Sequence, residues 1–236
     1  MILVILRDMR WRLAFLIPLS ALLYSQEPAF HQHDGFDPTA ISLGPLGVSS
    51  TLAYFAALSM IILLGGFVST DRREGYTRLM FSHPTSPLAY YGVRWGLAYL
   101  VSFVGAAIFL VVGQLIAWGE FRGGSAGLIL PALTGLVYGG IVAFFSVVVR
   151  RGDGWIAFLF FLPTLIPQIV TLALSTASTG VRQAILLLLP PLGAFQEIWD
   201  NLLFETFAWG PVGFAAAYGA VFLVSAVALL TMLEWP

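Results

Sequence analysis

The chain has 236 residues, of which 59% are hydrophobic and 10% charged, and a formal net charge of −1; its mean hydropathy is +0.91. Soluble domains carry about 25% charged residues, so this composition excludes an ordinary soluble domain, and the near-neutral balance offers no basic surface for nucleic acid. Cysteine is absent and none of the 11 basic residues is lysine, which excludes disulfides, thiolate metal sites, cysteine nucleophiles and a P-loop, whose lysine must reach the phosphates.

The apolar residues fall in blocks of about 20, the length of helix that crosses a hydrocarbon core of about 30 Å. They run unbroken, without the alternation of a barrel strand. The expectation is therefore an all-α integral membrane protein with six spans, 13–25, 47–68, 91–118, 128–149, 155–175 and 211–233, in a single transmembrane domain over 1–236. Before the first span, Ile2, Ile5, Leu6, Met9 and Leu13 recur at helical spacing with Arg7, Asp8 and Arg10 between them, which predicts an interfacial helix over 1–12. The first span is short: about 13 residues cover about 20 Å, so Arg10 and Arg12 must snorkel or the bilayer must thin. It lacks the small residues of a cleaved signal peptide around Tyr24-Ser25-Gln26-Glu27. The loop that follows carries His31-Gln32-His33-Asp34 and Asp37, nitrogen and oxygen ligands that suit a metal, although a solvated loop is the simpler reading.

Between spans two and three lies the most polar stretch of the chain, Thr70-Asp71-Arg72-Arg73-Glu74-Gly75-Tyr76-Thr77-Arg78-Leu79-Met80-Phe81-Ser82-His83-Pro84. Asp71 with Glu74 three residues on reads as a capping box that starts a helix. Tyr76, Leu79 and Met80 share its apolar face, and Pro84 ends it. Ser86-Pro87 then restarts a helix, with serine as N-cap and proline at N1, that runs through Tyr90, Tyr91, Arg94 and Trp95 as interfacial anchors into span three. An apolar ridge flanked by arginines suits a protein groove and an anionic lipid surface equally well.

Between spans five and six, 184–189 is too short to cross and Pro190-Pro191 ends it. Phe195, Ile198, Trp199, Leu202, Leu203 and Phe207 then mark one helical face, with Gln196, Glu197, Asp200, Asn201 and Glu205 opposite. The segment 177–209 is thus expected to be re-entrant and then amphipathic. A plain crossing would place Glu197 and Asp200 in hydrocarbon at about 2.5–3.5 kcal/mol each. Small-residue pairs at Gly92/Gly96, Gly135/Gly139 and Ala215/Gly219 permit close helix approach.

Orientation follows from the arginines. With both termini inside, Arg7, Arg10, Arg12, Arg72, Arg73, Arg78, Arg94, Arg150 and Arg151 are inner and only Arg122 and Arg182 outer, a clear positive-inside bias. Catalytic patterns are lacking. Gly47-Val48-Ser49-Ser50 has no histidine at membrane depth to activate a serine, since His31, His33 and His83 all lie in loops. The span centres lack the ionisable residues that ion-driven transporters keep. Gln114 and Gln168 are the most polar side chains at depth, suited to line a translocation path or to bond between helices. Pro163 and Pro167 can kink span five.

Glu74-Gly75, Leu79, Ser82 and Pro84, followed by Ser86, Tyr90 and Arg94 leading into an apolar span, resemble the pattern after the second span of ABC-2-type transporter permeases. The six-span layout, the inner N-terminal helix and Leu189-Pro190-Pro191 before an outer amphipathic helix extend the resemblance over most of the chain. Arg150-Arg151-Gly152 and Leu162-Pro163 with Pro167 are similar to the related haem exporter B permease, although the outer segment before the last span is longer here. The resemblance implies a permease, with no enzyme activity of its own, in a bacterial inner (plasma) membrane with both termini cytoplasmic. It would pair with a second permease as a homodimer or heterodimer and be driven by a separate cytoplasmic ABC ATPase that binds ATP and Mg, this chain holding no cofactor. The loop helix would be the coupling helix, touching the ATPase through Arg72, Arg73, Glu74, Gly75, Tyr76, Leu79, Met80 and Pro84, with Arg150 and Arg151 as a second contact; export is the implied direction. The alternatives from the residues alone are a non-transporting membrane scaffold or assembly subunit and an ion-driven secondary transporter.

Overall fold

The computed structural model describes residues 2–31, 44–75, 86–165, 178–180, 189–204 and 206–232. Among them every regular element is helical: α1 (Ile2–Ala14), α2 (Leu16–Gln26), the single turn α3 (Gly44–Gly47), α4 (Ser49–Leu64), α5 (Ser69–Glu74), α6 (Pro87–Trp118), α7 (Ile129–Val148), α8 (Asp153–Leu165), α9 (Leu192–Leu203) and α10 (Trp209–Met232). Among the described residues four stretches are long and apolar enough to cross a membrane: Pro45–Glu74, Pro87–Trp118, Ser125–Val148 and Trp209–Met232. They coincide with the expected second, third, fourth and sixth spans.

The other two expected spans are shorter in the described residues. Helix α2 has 11 residues, about 16 Å of rise. The chain turns at Phe15 because Pro18 has no N–H for the Ala14 carbonyl and its ring crowds that group, so α1 and α2 are separate helices rather than one entry into the membrane. Helix α8 is described for 13 residues with Pro163 inside it; the rest of the expected fifth span, with Pro167 and Gln168, lies outside the described residues, as does the expected half-inserted 184–189.

Helices α4 and α7 form the centre. Within their most apolar windows 72% and 67% of residues are buried, against 33% for α6 and 17% for α10. Helix α7 packs most extensively along α4 on one side and α10 on the other. The α7–α10 seam is set by two glycines: a Cβ on Gly140 would stand 2.6 Å from the Gly219 carbonyl oxygen, and one on Gly219 3.0 Å from the Val137 nitrogen. Of the expected small-residue pairs, Ala215/Gly219 is in this seam. Gly135 and Gly139 instead accept side chains, Tyr99 and Trp95 among them, while Gly92 and Gly96 have no described residue within 4 Å of an added Cβ. The sequence pattern missed Gly140 because spacing reports which glycines share a face, not which face meets a backbone. Hydroxyls add interhelical bonds, Ser59 with Ser102 at 2.7 Å and Tyr99 donating to the Ala132 carbonyl at 3.0 Å.

The two peripheral helices form where the periodicity predicts them. In α1, Ile5 and Met9 are buried while Leu3 and Trp11 on the opposite side are exposed. In α9, Ile198 and Leu202 are buried against α4, α7 and α10 residues, and Gln196 and Glu197 are exposed.

Candidate functional site

Four segments distant in sequence meet at one end of the bundle, around residues 65–75. Helix α4 stops at Leu64. The chain then bends through Gly66, whose φ of 76° is a left-handed conformation that glycine adopts without a Cβ penalty, and resumes as α5. The carbonyls left at the end of α4 are taken by Arg12 from the end of α1, which donates to Ile62, Leu63 and Gly65; a guanidinium there also complements the negative end of the helix dipole. Arg12 therefore caps a neighbouring helix. Arg10 is exposed, its guanidinium against the Trp11 ring.

The start of α5 is held by α7 and α8. Ser146 Oγ accepts from the Val68 and Ser69 amides at 2.7 and 3.1 Å. Asp153, buried at the first turn of α8, accepts from the Gly66 amide at 3.0 Å through one oxygen and from the Ser69 hydroxyl at 2.9 Å through the other. These are the groups that satisfy the open amides of the turn, and they correct the expected capping box. Asp71 does not cap: α5 begins at Ser69, and Asp71 sits inside it, accepting from the Tyr91 hydroxyl and from Arg94, each at 3.2 Å. The helix ends at Gly75, with φ 72°, so the expected continuous helix to Phe81 is interrupted there.

Arg94 is the centre of the charge arrangement. It is 2% exposed, pairs with Asp71 at 3.2 Å and Asp8 at 3.4 Å, donates to the Phe67 carbonyl at 3.2 Å and lies over the Phe67 ring. A buried guanidinium persists only when its charge is matched in this way, although Arg94 Nε finds no hydrogen-bond partner among the described residues. It is thus a clamp between α6, α5 and α1, where the sequence suggested an interfacial anchor.

The expected contact residues are placed as follows. Arg72 donates to the Val147 carbonyl at 2.8 Å, tying α5 to the end of α7. Arg73 and Glu74 are exposed and pair with each other at 3.3 Å, a contact worth little at a surface. Gly75 has open space around it. Arg150 and Arg151 are exposed in the turn between α7 and α8, three and two residues before the Asp153 that holds α5. The two loops, 65–75 and 149–153, are therefore one knitted surface. Tyr76, Leu79, Met80 and Pro84 lie outside the described residues, and so does the apolar ridge they would form.

The opposite end carries a different chemistry. Gln114 is buried, its amide nitrogen donating to the Gly123 carbonyl at 2.9 Å and its oxygen accepting from the Arg122 amide at 2.8 Å. Its polar capacity holds the loop after α6. Glu27 is 2% exposed, accepting from the Ala29 amide at 3.0 Å and from the Thr51 hydroxyl. Burial without a cationic partner raises its carboxyl above the usual range, the two hydrogen bonds and His31 opposing that rise. His31 has its ring nitrogen 3.2 Å from the Tyr24 carbonyl. His33, Asp34 and Asp37 lie outside the described residues, and among the described residues no group of three or more metal-ligating side chains is gathered. Sequence reasoning missed Arg12, Ser146 and Asp153 as partners of the loop. Only the polarity of Ser146 and Asp153 at the ends of apolar runs signalled them.

No family model, no curated protein and no solved structure matches this chain; the functional argument rests on its own residues.

Proposed function

We propose that this chain is the membrane-spanning subunit of an ATP-binding cassette transporter, an exporter whose energy is supplied by a separate cytoplasmic ATPase. The observation that carries the reading is the knitted surface of loops 65–75 and 149–153. A motor docking on a flexible loop moves only the loop. A motor docking on α5 acts on a segment bonded to α6 through Arg94, to α7 through Ser146 and to α8 through Asp153, beside an α4 end that Arg12 of α1 holds, so displacement is delivered to the spans themselves. Conformational steps are transmitted through such rigid, packed elements.

Charge supports the orientation that the reading needs. Arg7, Arg10, Arg12, Arg72, Arg73, Arg94, Arg150 and Arg151 belong to segments at the α5 end and Arg122 to the other, which makes the α5 end cytoplasmic by the positive-inside rule with six spans and both termini inside. The ATPase would meet α5 through Arg72, Arg73, Glu74 and Gly75, continue over Tyr76, Leu79, Met80 and Pro84, and touch Arg150 and Arg151. A second permease completes the transporter. Among the described residues the middle turns of α4, α6, α7 and α10 hold no ionisable carboxylate, lysine, arginine or histidine, which disfavours ion-driven transport.

The test is gentle purification from the native membrane followed by identification of what accompanies the chain. A stoichiometric P-loop ATPase, lost in the variant Leu79→Asp/Met80→Asp, is the expected result. Retention of the ATPase by that variant removes the coupling role from the loop. Labelling of residues 71–86 from the external side refutes the orientation.

A further inference from the structure

Away from the charged end, α4, α7, α8 and α9 border a half-open pocket of about 320 Å³. Ligand pockets begin at about 300 Å³, whereas a water molecule occupies about 30 Å³, so the space exceeds a packing gap. Its described lining combines rings with neutral polar groups: Tyr54, Tyr138, Phe161, Phe195 and Trp199 among the rings, and Ser50, Thr134, Thr164 and Gln196 among the polar side chains, with no ionised residue. A larger groove of about 750 Å³ between α2, α4 and α6 is lined almost wholly by aliphatic and aromatic carbon and specifies nothing beyond contact with hydrocarbon.

The smaller cavity differs because its polar capacity is unevenly spent. The Tyr138 hydroxyl donates to the Phe160 carbonyl, Thr134 to the Leu130 carbonyl and Trp199 Nε1 to the Gly47 carbonyl at 3.3 Å. Those bonds fix the walls. Gln196 donates its amide nitrogen to Asp200 at 3.0 Å; because a carboxylate only accepts, this sets the amide orientation and leaves the carbonyl oxygen as an acceptor. The Tyr54 hydroxyl has no hydrogen-bond partner among the described residues, and its ring is fixed edge-on to Phe161 at 6.1 Å. The pocket thus offers ring faces, an unspent hydroxyl donor on Tyr54, an acceptor oxygen on Gln196 and no ionised side chain in its described lining.

We infer that this cavity is a binding site for a neutral, hydroxyl-bearing ring of the size of one sugar unit. Such a ring presents apolar faces to the aromatic side chains and hydroxyls to the Tyr54 donor and the Gln196 acceptor. The described lining offers no counter-charge to an ion of either sign. The inference is independent of the coupling argument, since the site lies within one chain and involves none of the residues that would meet an ATPase.

The experiment titrates methyl β-D-glucopyranoside onto the full chain in lipid nanodiscs and reads saturation-transfer NMR, with glucosamine and glucuronate as the cationic and anionic forms of the same ring. Saturable transfer to the neutral glycoside is expected, at least tenfold weaker for both charged sugars. Tyr54→Phe, which removes only the donor, should weaken binding about tenfold, and Thr134→Trp, which fills the cavity, should abolish it. Equal binding of the charged sugars, absence of saturable transfer, or Tyr54→Phe binding as the parent overturns the assignment. Tyr54→Phe preserves the ring packing, so the test stands even if Thr134→Trp fails to fold. Loss of the copurifying ATPase without loss of glycoside binding would separate failure of the transport reading from failure of this one.

Discussion

The α7–α10 seam permits a test in which one substitution has opposite outcomes at two sites. At Gly140 an added Cβ would lie 2.6 Å from the Gly219 carbonyl oxygen, 3.3 Å from Phe222 Cβ and 3.4 Å from the Leu223 nitrogen, where ordinary contact begins at 3.4 Å. The nearest atom is backbone and cannot rotate away, so α10 must withdraw by about 0.8 Å, the shortfall from that limit. A radial gap of about 0.5–1 Å forfeits a quarter to a half of each van der Waals well along the seam, and overpacking of this kind costs about 1–3 kcal/mol. Alanine recovers about 0.8–1.0 kcal/mol of helix propensity over glycine. With an unyielding backbone neighbour the net expectation for Gly140→Ala is a loss of about 1–2 kcal/mol. At Gly92, with no described residue within 4 Å of the added atom, the propensity gain of about 0.8–1.0 kcal/mol operates. Unfolding each variant with sodium dodecyl sulfate in mixed micelles, followed by far-ultraviolet circular dichroism, measures both. If Gly140→Ala proves as stable as Gly92→Ala, the close approach of α7 and α10 does not exist in the membrane protein.

Two further perturbations probe the ends of the bundle. Arg94→Met leaves Asp71 without its cation and should lower stability by about 3–5 kcal/mol, the usual result of breaking a buried pair, with trypsin cleavage after Arg72 and Arg73 accelerated; adding Asp71→Asn should restore much of the loss, and an unchanged unfolding midpoint in the single variant would refute the clamp. Glu27 is held above the usual carboxyl range by burial, so the folded state binds more protons at this site than the unfolded chain, and stability falls as pH rises through the interval between the two values. Glu27→Gln keeps an acceptor for the Ala29 amide and removes the titration, so its thermal midpoint relative to the parent should increase from about pH 4 to pH 7; a constant difference over that range would show that Glu27 is not buried as a carboxyl.

The polar hub owes its rigidity to backbone groups that must be satisfied. Loop residues in an apolar bundle need partners for their amides, and here the partners come from four helices. The requirement that every buried amide be satisfied therefore builds the same rigidity that a mechanically driven segment needs. Arg73, Glu74, Arg150 and Arg151 remain exposed on that surface, where they are free to meet a partner.

Composition and apolar block length by themselves determined the class of this protein, its helical character and the positions of four long helices, because hydrocarbon leaves a backbone few ways to satisfy itself. Periodicity determined α1 and α9 in the same way, since Ile5, Met9, Ile198 and Leu202 share faces at helical spacing. The tertiary structure alone decided where the polar residues go. Asp71 reads locally as a cap, yet a buried arginine 23 residues later offers it a charge, and the Ser146 and Asp153 oxygens reach the open amides first. Gln114 reads as a pathway residue until the loop after α6 folds back onto it. Spacing along a chain fixes which face a side chain occupies. Which unsatisfied donor or charge waits across that face is set by distant segments, and in a medium without water that choice decides the site.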